Sequence, residues 1–242
     1  LAGSYLAKVK KAPLILVDRS VASEKMIGEY IEKNLLDKGT VYLLGGSDVV
    51  TERFEKSLKG IDVKRLAGDT RYETNLEILD EAKASKEDLL ACTGEGFADS
   101  LSASAVGKPI LLVDNRGLTK AQQTYLDKAN VQEIYLIGGA DVVSDKVGKE
   151  LQSYDKDSKT ERIAGDNRYK TSVAVAKAFF PDKCDTVVLA YGMKFPDGLA
   201  GGPLAISMES PLLLVEDTAY ADAKAYGSSV GISRLAVLGG TD

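Results

Sequence analysis

One stretch constrains this chain more than any other. Arg162-Ile163-Ala164-Gly165-Asp166-Asn167-Arg168-Tyr169-Lys170-Thr171 aligns with Arg65-Leu66-Ala67-Gly68-Asp69-Thr70-Arg71-Tyr72-Glu73-Thr74 at a constant offset of 97 residues. A match at fixed spacing marks an internal repeat, so the fold is built from copies of one supersecondary unit. Gly45-Gly46, Gly138-Gly139 and Gly239-Gly240 each follow an apolar run, and Asp48, Asp141 and Asp242 stand two residues beyond. Pro13-Leu14-Ile15-Leu16 returns as Pro109-Ile110-Leu111-Leu112 and as Pro211-Leu212-Leu213-Leu214, and Leu1 to Ala7 aligns with Leu199 to Ala205. The chain thus holds a partial copy (1–62), a complete copy (63–160) and a second partial copy (161–242). It begins inside one copy and ends inside another, which reads as a fragment of a longer protein.

Within the complete copy the order of elements follows from periodicity and caps. Val63 to Ala67 reads as a strand ending at Gly68. A helix follows from about Thr70 to Lys83, opened by the capping-box spacing of Thr70 and Glu73. Leu89 to Thr93 is an apolar strand, and Asp99 is placed to cap the next helix. That helix, Leu101 to Gly107, is made of small residues, as are its counterparts at 1–7 and 199–205, which points to close approach of another backbone. Pro109 to Val113 is apolar throughout, as a strand covered on both faces must be. Thr119 and Gln122 open a helix to about Ala129, Glu133 to Ile137 is a strand, and a last helix spans Ser144 to Gln152. Alternating elements of this kind predict an α/β fold: tandem repeats with mostly parallel sheets flanked by helices. The polar stretches at 56–62 and 154–159 read as short unit boundaries, so the units pack together rather than swing.

Composition removes several functions. No histidine is present, which takes away the commonest general base and metal ligand. Cys92 and Cys184 occupy different places in the repeat and form neither a disulfide framework nor a zinc site, so no metal and no cofactor are expected. A net charge of −5 offers no basic field for nucleic acid, and no apolar run is long enough to span a membrane.

The combined pattern Leu/Ile-Ala-Gly-Asp-x-Arg-Tyr-x-Thr, Phe-Ala/Pro-Asp-x-Leu, Pro-Ile/Leu-Leu-Leu and a strand ending in Gly-Gly resembles the clostridial cell-wall-binding repeat, type 2. The resemblance spans the whole chain. It implies a pseudo-three-fold arrangement of three repeats that holds secreted surface and S-layer proteins non-covalently on the Gram-positive wall. It also implies an anionic secondary wall polysaccharide as ligand and other S-layer proteins as further partners; the missing histidine, the missing phosphate-loop patterns and the threefold duplication argue against a catalytic role for this segment.

Arg71 and Arg168 stand in the first turn of a helix, where a planar guanidinium and free backbone amides suit an anion. The competing reading pairs Arg71 with Asp69 or Asp99 and Arg168 with Asp166 or Asp197. Arg65 and Arg162 lie on the preceding strand, and Tyr72 and Tyr169 could stack on a sugar or belong to the core. The candidate binding set is therefore Arg65, Arg71, Tyr72, Arg162, Arg168 and Tyr169. Asp69, Asp166 and the three apolar runs at Pro13–Leu16, Pro109–Leu112 and Pro211–Leu214 support it. Lys64, Arg65 and Arg71 gather at one copy and Arg162, Arg168 and Lys170 at the other, so local clusters rather than net charge would hold the polymer. The Gly-Gly loops match no phosphate-loop pattern and read as tight turns. Two further functions stay open: an α/β enzyme acting on a phosphorylated or nucleotide substrate, and a lattice module that contacts only protein.

Overall fold

The structure, a computed structural model, describes residues 1–156, 160–194 and 196–240. Asp157, Ser158 and Lys159 of the second polar connector, Phe195 of the repeated Phe-x-Asp motif, and Asp242 lie outside them. In chain order the elements are α1 (Ala2–Lys10), α2 (Val21–Asn34), β1 (Thr40–Leu44), α3 (Glu52–Ser57), β2 (Asp62–Leu66), α4 (Arg71–Glu81), β3 (Leu89–Thr93), α5 (Ala98–Ser104), β4 (Ile110–Val113) and α6 (Lys120–Ala129). Then come β5 (Ile134–Ile137), α7 (Asp145–Gln152), β6 (Glu161–Ile163), α8 (Arg168–Phe179), β7 (Thr186–Tyr191), α9 (Pro196–Ser207), β8 (Leu212–Val215), α10 (Ala221–Val230) and β9 (Arg234–Val237).

The strands form three separate sheets, β1-β2, β4-β3-β5-β6 and β8-β7-β9, and every pairing is parallel. The alternating α/β reading therefore holds, with one correction to its parsing. The strand placed at the head of the central copy, β2, pairs with β1 and completes the sheet of the copy before it, Thr40 opposite Asp62. Likewise β6 pairs with β5, Tyr135 opposite Glu161. The chain passes from one sheet to the next at Gly68 and at Gly165, not at the polar stretches, the first of which runs from the end of α3 through a turn into β2. The physical reason is that α4 and α8 bury their apolar faces on the following sheet. Leu76, Ile78 and Leu79 pack with Leu89, Ala91 and Leu111. Val173 and Ala176 pack with Val187 and Leu213.

The Pro-x-Leu-Leu runs form edge strands in two copies, β4 beside β3 and β8 beside β7, and both are buried. The first run, Pro13 to Leu16, is not a strand: Pro13 is exposed and Leu16 is 42% exposed. No strand among the described residues lies beside it as β3 and β7 lie beside the others.

The small-residue helices explain the pseudo-three-fold arrangement. α1, α5 and α9 pack against one another. Ser4, Ser104 and Gly202, equivalent positions of the three copies, meet there: a Cβ on Gly202 would lie 2.2 Å from Ser104 Oγ and 2.8 Å from Ser4 Oγ. Cores run continuously between copies. Ala2, Tyr5 and Leu6 of α1 join the core of the central sheet, and Leu101 of α5 with Ala105 at its end joins Val188, Ala190 and Leu212 of the third. The bridging helices α4 and α8 fill two junctions, α4 on α1 and β4, α8 on α5 and β8. At the third, between α1 and α9, an open groove of about 530 Å³ is lined by Lys11, Pro13, Leu14, Ala200, Pro203 and Leu204.

Candidate functional site

The repeated ten-residue stretch is a clasp between successive sheets, and nearly every residue in it has a mechanical reason. Gly68 and Gly165 sit against the start of the next helix: a Cβ would fall 2.3 Å from Glu73 Cβ at the first and 2.4 Å from Lys170 Cβ at the second. Their amides donate to Thr74 Oγ1 (3.0 Å) and Thr171 Oγ1 (3.1 Å), closing the turn. Thr70 and Glu73 form the full capping box of α4, whereas Asn167 alone caps α8 by accepting from the Lys170 amide at 3.0 Å.

The four arginines share one device. Arg65 Nη1 donates to the Gly45 carbonyl at 2.7 Å and Arg162 Nη1 to the Gly138 carbonyl at 2.8 Å, so the Gly-Gly loop of each sheet is tied to the strand beside it. Gly45 and Gly138 have φ of 121° and 109°, which explains the glycine there. Arg71 donates to the Gly94 carbonyl, and Arg168 to the Gly192 carbonyl at 2.8 Å, at the end of the next sheet's central strand. Tyr72 and Tyr169 pack their rings where Gly94 and Gly192 have no side chain. Tyr72 Oη donates to Glu95 Oε1 at 2.8 Å, and burial together with that carboxylate raises its pKa. Burial, then Glu216, pushes the Tyr169 phenol up to about 12. Both rings serve as packing groups in this arrangement.

The expected clusters of positive charge are largely neutralised. Lys64 is paired with Glu81, Arg65 with Glu55 (2.8 Å), Arg162 with Asp145 (2.9 Å) and Lys170 with Asp166 (2.7 Å). Arg71 and Arg168 are the exceptions: no carboxylate lies within ion-pair distance of either among the described residues. The pairings foreseen with Asp69, Asp166 and Asp197 do not form. Asp99 lies instead beside Arg168 and Thr171 of the following copy, because α5 packs against α8. Nor is Asp99 the helix cap: α5 already starts at Ala98, so Asp99 lies inside its first turn. Burial raises the Asp99 pKa, opposed by Thr171 and Arg168.

The two arginines differ in setting. Arg71 is exposed. Arg168 is half-buried, and its guanidinium carbon stands 5.9 Å from the centroid of the Phe97 ring, which the central copy supplies. Phe97 carries a recognisable sequence signal, the Phe-x-Asp motif, but its partner lies 71 positions away across a sheet boundary that the sequence does not mark. Two further contributors carried no motif. Asn75 and Ser172, equivalent residues of α4 and α8, bond the open edge of the Pro-x-Leu-Leu strands: Leu112 N–H donates to Asn75 Oδ1 at 2.8 Å, and Leu214 N–H to Ser172 Oγ at 3.1 Å. Among the described residues no group of three or more acidic or cysteine side chains is placed to hold a metal ion. No helix there is long and apolar enough to cross a membrane.

Three parallel sheets joined by a repeated glycine–arginine clasp around a shared helical axis define a tandem α/β repeat module. The chain belongs to the cell wall binding domain 2 (CWB2) family, whose profile matches residues 1–55, 65–148 and 162–242. The last two segments begin at the clasp arginine. Among solved structures, Cwp8 from Clostridium difficile is similar at a TM-score of 0.88 and 25% identity, over 99% of this chain and 42% of that one. Cwp6 from the same organism has a TM-score of 0.85 at 22% identity, over 98% of this chain and 39% of that one, and shows the fold. Among curated proteins of Bacillus subtilis, the amidase enhancer is 30% identical over 228 residues, 90% of this chain and 30% of the relative. N-acetylmuramoyl-L-alanine amidase LytC is 25% identical over 252 residues, all of this chain and 48% of the relative. This chain thus spans less than half the length of the relatives it matches.

Proposed function

We propose that this chain anchors a secreted surface protein to the Gram-positive wall without a covalent bond, by binding an anionic secondary wall polysaccharide at repeated arginine-led sites. Membership of a wall-binding family supports the destination. The arginine geometry carries the ligand class. Arg71 and Arg168 each spend one N–H on a glycine carbonyl, which sets the guanidinium in place, and the remaining N–H donors have no protein partner among the described residues. A guanidinium has five donors in a planar fork that matches carboxylate and phosphate groups. Each stands at the N-terminus of a helix of eleven or twelve residues, where the dipole also favours an anion. Arg65 and Arg162, with the tyrosines, hold these sites rather than contact the polymer. Two weak sites on one rigid module bind successive charges of a repeating polymer, and avidity multiplies them.

Co-sedimentation with purified Gram-positive walls tests this, before and after the anionic polysaccharide is extracted, beside an Arg71→Ala/Arg168→Ala double variant shown to be folded by circular dichroism. The expected result is loss of binding on extraction, in the double variant and at high salt. Retention on stripped walls would redirect the function to peptidoglycan or to protein contacts within an S-layer. Turnover of a phosphorylated or nucleotide substrate would restore the enzyme reading.

A further inference from the structure

We infer that Phe97 and Asp99 of the central copy set the orientation and the strength of the Arg168 anion site in the third, so that the site is complete only when the two copies are docked. The inference rests on the polymer-binding reading and adds its positioning residues.

Three observations meet at this junction. The Arg168 guanidinium lies 5.9 Å from the Phe97 ring centroid, within the distance at which a cation is attracted to an aromatic face. The same guanidinium donates to the Gly192 carbonyl of its own copy at 2.8 Å. Asp99, two residues from Phe97, is tucked against the Gly-Gly loop, its Oδ2 2.7 Å from where a Cβ on Gly138 would be, and it faces Thr171 and Arg168. α5 and α8 are packed together, so these contacts are built into the interface between copies rather than made by a free loop.

The two positioning residues act with opposite sign. Phe97 restricts the guanidinium to one plane without consuming an N–H donor, which reduces the entropy lost when an anion is gripped. Asp99 is a negative charge beside that guanidinium, beyond ion-pair distance, so it competes with any anionic ligand for the same field. Removal of the ring therefore weakens the site, and removal of the charge strengthens it.

The test measures binding of acid-extracted anionic wall polysaccharide, immobilised, with uncharged dextran as the control surface. Wild type is compared with Phe97→Leu, Phe97→Tyr and Asp99→Asn, each checked for folding by circular dichroism. Phe97→Leu is expected to weaken binding by about two- to five-fold, the worth of an exposed cation–ring contact. Phe97→Tyr keeps the wild-type affinity, and Asp99→Asn raises it several-fold at low salt with a gain that shrinks as salt is added. A purely structural role for both residues would lower binding in both variants together, and that outcome overturns the inference. A wild-type protein that fails to hold the polymer removes the anchoring reading and this inference with it. A wild type that binds, with Phe97→Leu and Asp99→Asn unchanged, removes the inference alone.

Discussion

The side-chain amide of Asn75 is bonded to the backbone on either side of Leu111. Leu112 N–H donates to Asn75 Oδ1 at 2.8 Å, and Asn75 Nδ2 donates to the Ile110 carbonyl at 2.8 Å. A buried helix residue thereby supplies the edge of β4 with the partners that a further strand would have supplied. Asn75 is 1% exposed, so truncation leaves two buried backbone groups unpaired. Asn75→Ala is expected to cost about 2–4 kcal/mol, since each orphaned group costs roughly 1–3 kcal/mol less what the loop recovers by relaxing. The equivalent Ser172→Ala leaves one backbone donor, Leu214 N–H, without its partner and removes the hydroxyl's bond to the Tyr169 carbonyl, and is expected to cost about 1–2 kcal/mol. Urea titration of the two variants, with equal m-values, checks both the order and the size.

The contact of three helices at one axis makes a second prediction, with an internal control. A methyl group on Gly202 meets Ser104 Oγ and Ser4 Oγ from two other copies, neither of which can withdraw from a packed centre. Gly202→Ala is expected to destabilise by about 1–3 kcal/mol, the usual cost of overpacking. Gly28 in α2 has no heavy atom within 4 Å of its would-be Cβ. Gly28→Ala is therefore expected to stabilise by about 0.5–1 kcal/mol through helix propensity alone. In a chain of this size each kcal/mol moves the melting temperature by roughly 2–4 °C, so the two alanines should part in opposite directions in one calorimetric scan.

These cases show how much the sequence carried. The alternation of elements, both capping boxes and the three small-residue helices were legible, because each depends on residues within a few positions of one another. The pseudo-three-fold arrangement came from the family resemblance, and the meeting of Ser4, Ser104 and Gly202 supplies its physical basis. What was not legible is what crosses a boundary. β2 reads as the start of a unit because the clasp motif follows it, yet its hydrogen bonds go back to β1. Asp99 has a cap's position and composition, but its carboxylate answers to Thr171 and Arg168, which only the docking of α8 on α5 brings near. The four arginines looked alike as charges. Their backbone partners separate them, since a carbonyl acceptor leaves no trace in residue identity.

A third prediction concerns acid. Glu81 of α4 accepts from Lys10 of α1 at 2.5 Å and from Lys64 of β2, and the Lys10 ammonium also stands 4.9 Å from the Tyr42 ring centroid. One carboxylate, 13% exposed, thus ties the first copy to the central one. The two lysines hold its pKa down at about 2, below the roughly 4.3 of an unfolded glutamate. A depressed carboxylate stabilises fully above the unfolded value, and that stabilisation is lost as pH falls through the folded one. The difference in stability between wild type and Glu81→Gln should therefore be complete at pH 6, shrink below about pH 4, and be gone near pH 2. A thermal-melt series across that range tests it. A constant difference down to pH 2 would assign the effect to packing rather than charge.

The last prediction separates the two clasp arginines. Arg168 is half-buried, bonded to the Gly192 carbonyl and set beside the Phe97 ring, so it belongs to the interface between the central and third copies. Arg71 makes the matching bond to Gly94 and is exposed. Arg168→Ala should remove a charge-assisted bond and an aromatic contact together, at about 1–3 kcal/mol. Arg71→Ala should cost about 1 kcal/mol, the worth of a single bond made by an exposed side chain. For the polymer the order should be the same and for a related reason: a guanidinium already held on two sides loses less freedom when an anion binds. Arg168→Ala should therefore weaken retention on walls more than Arg71→Ala, and the double variant more than either. Equal losses in wall binding, with unequal losses in stability, would show that the neighbouring copy contributes to folding at this junction and not to the grip on the polymer.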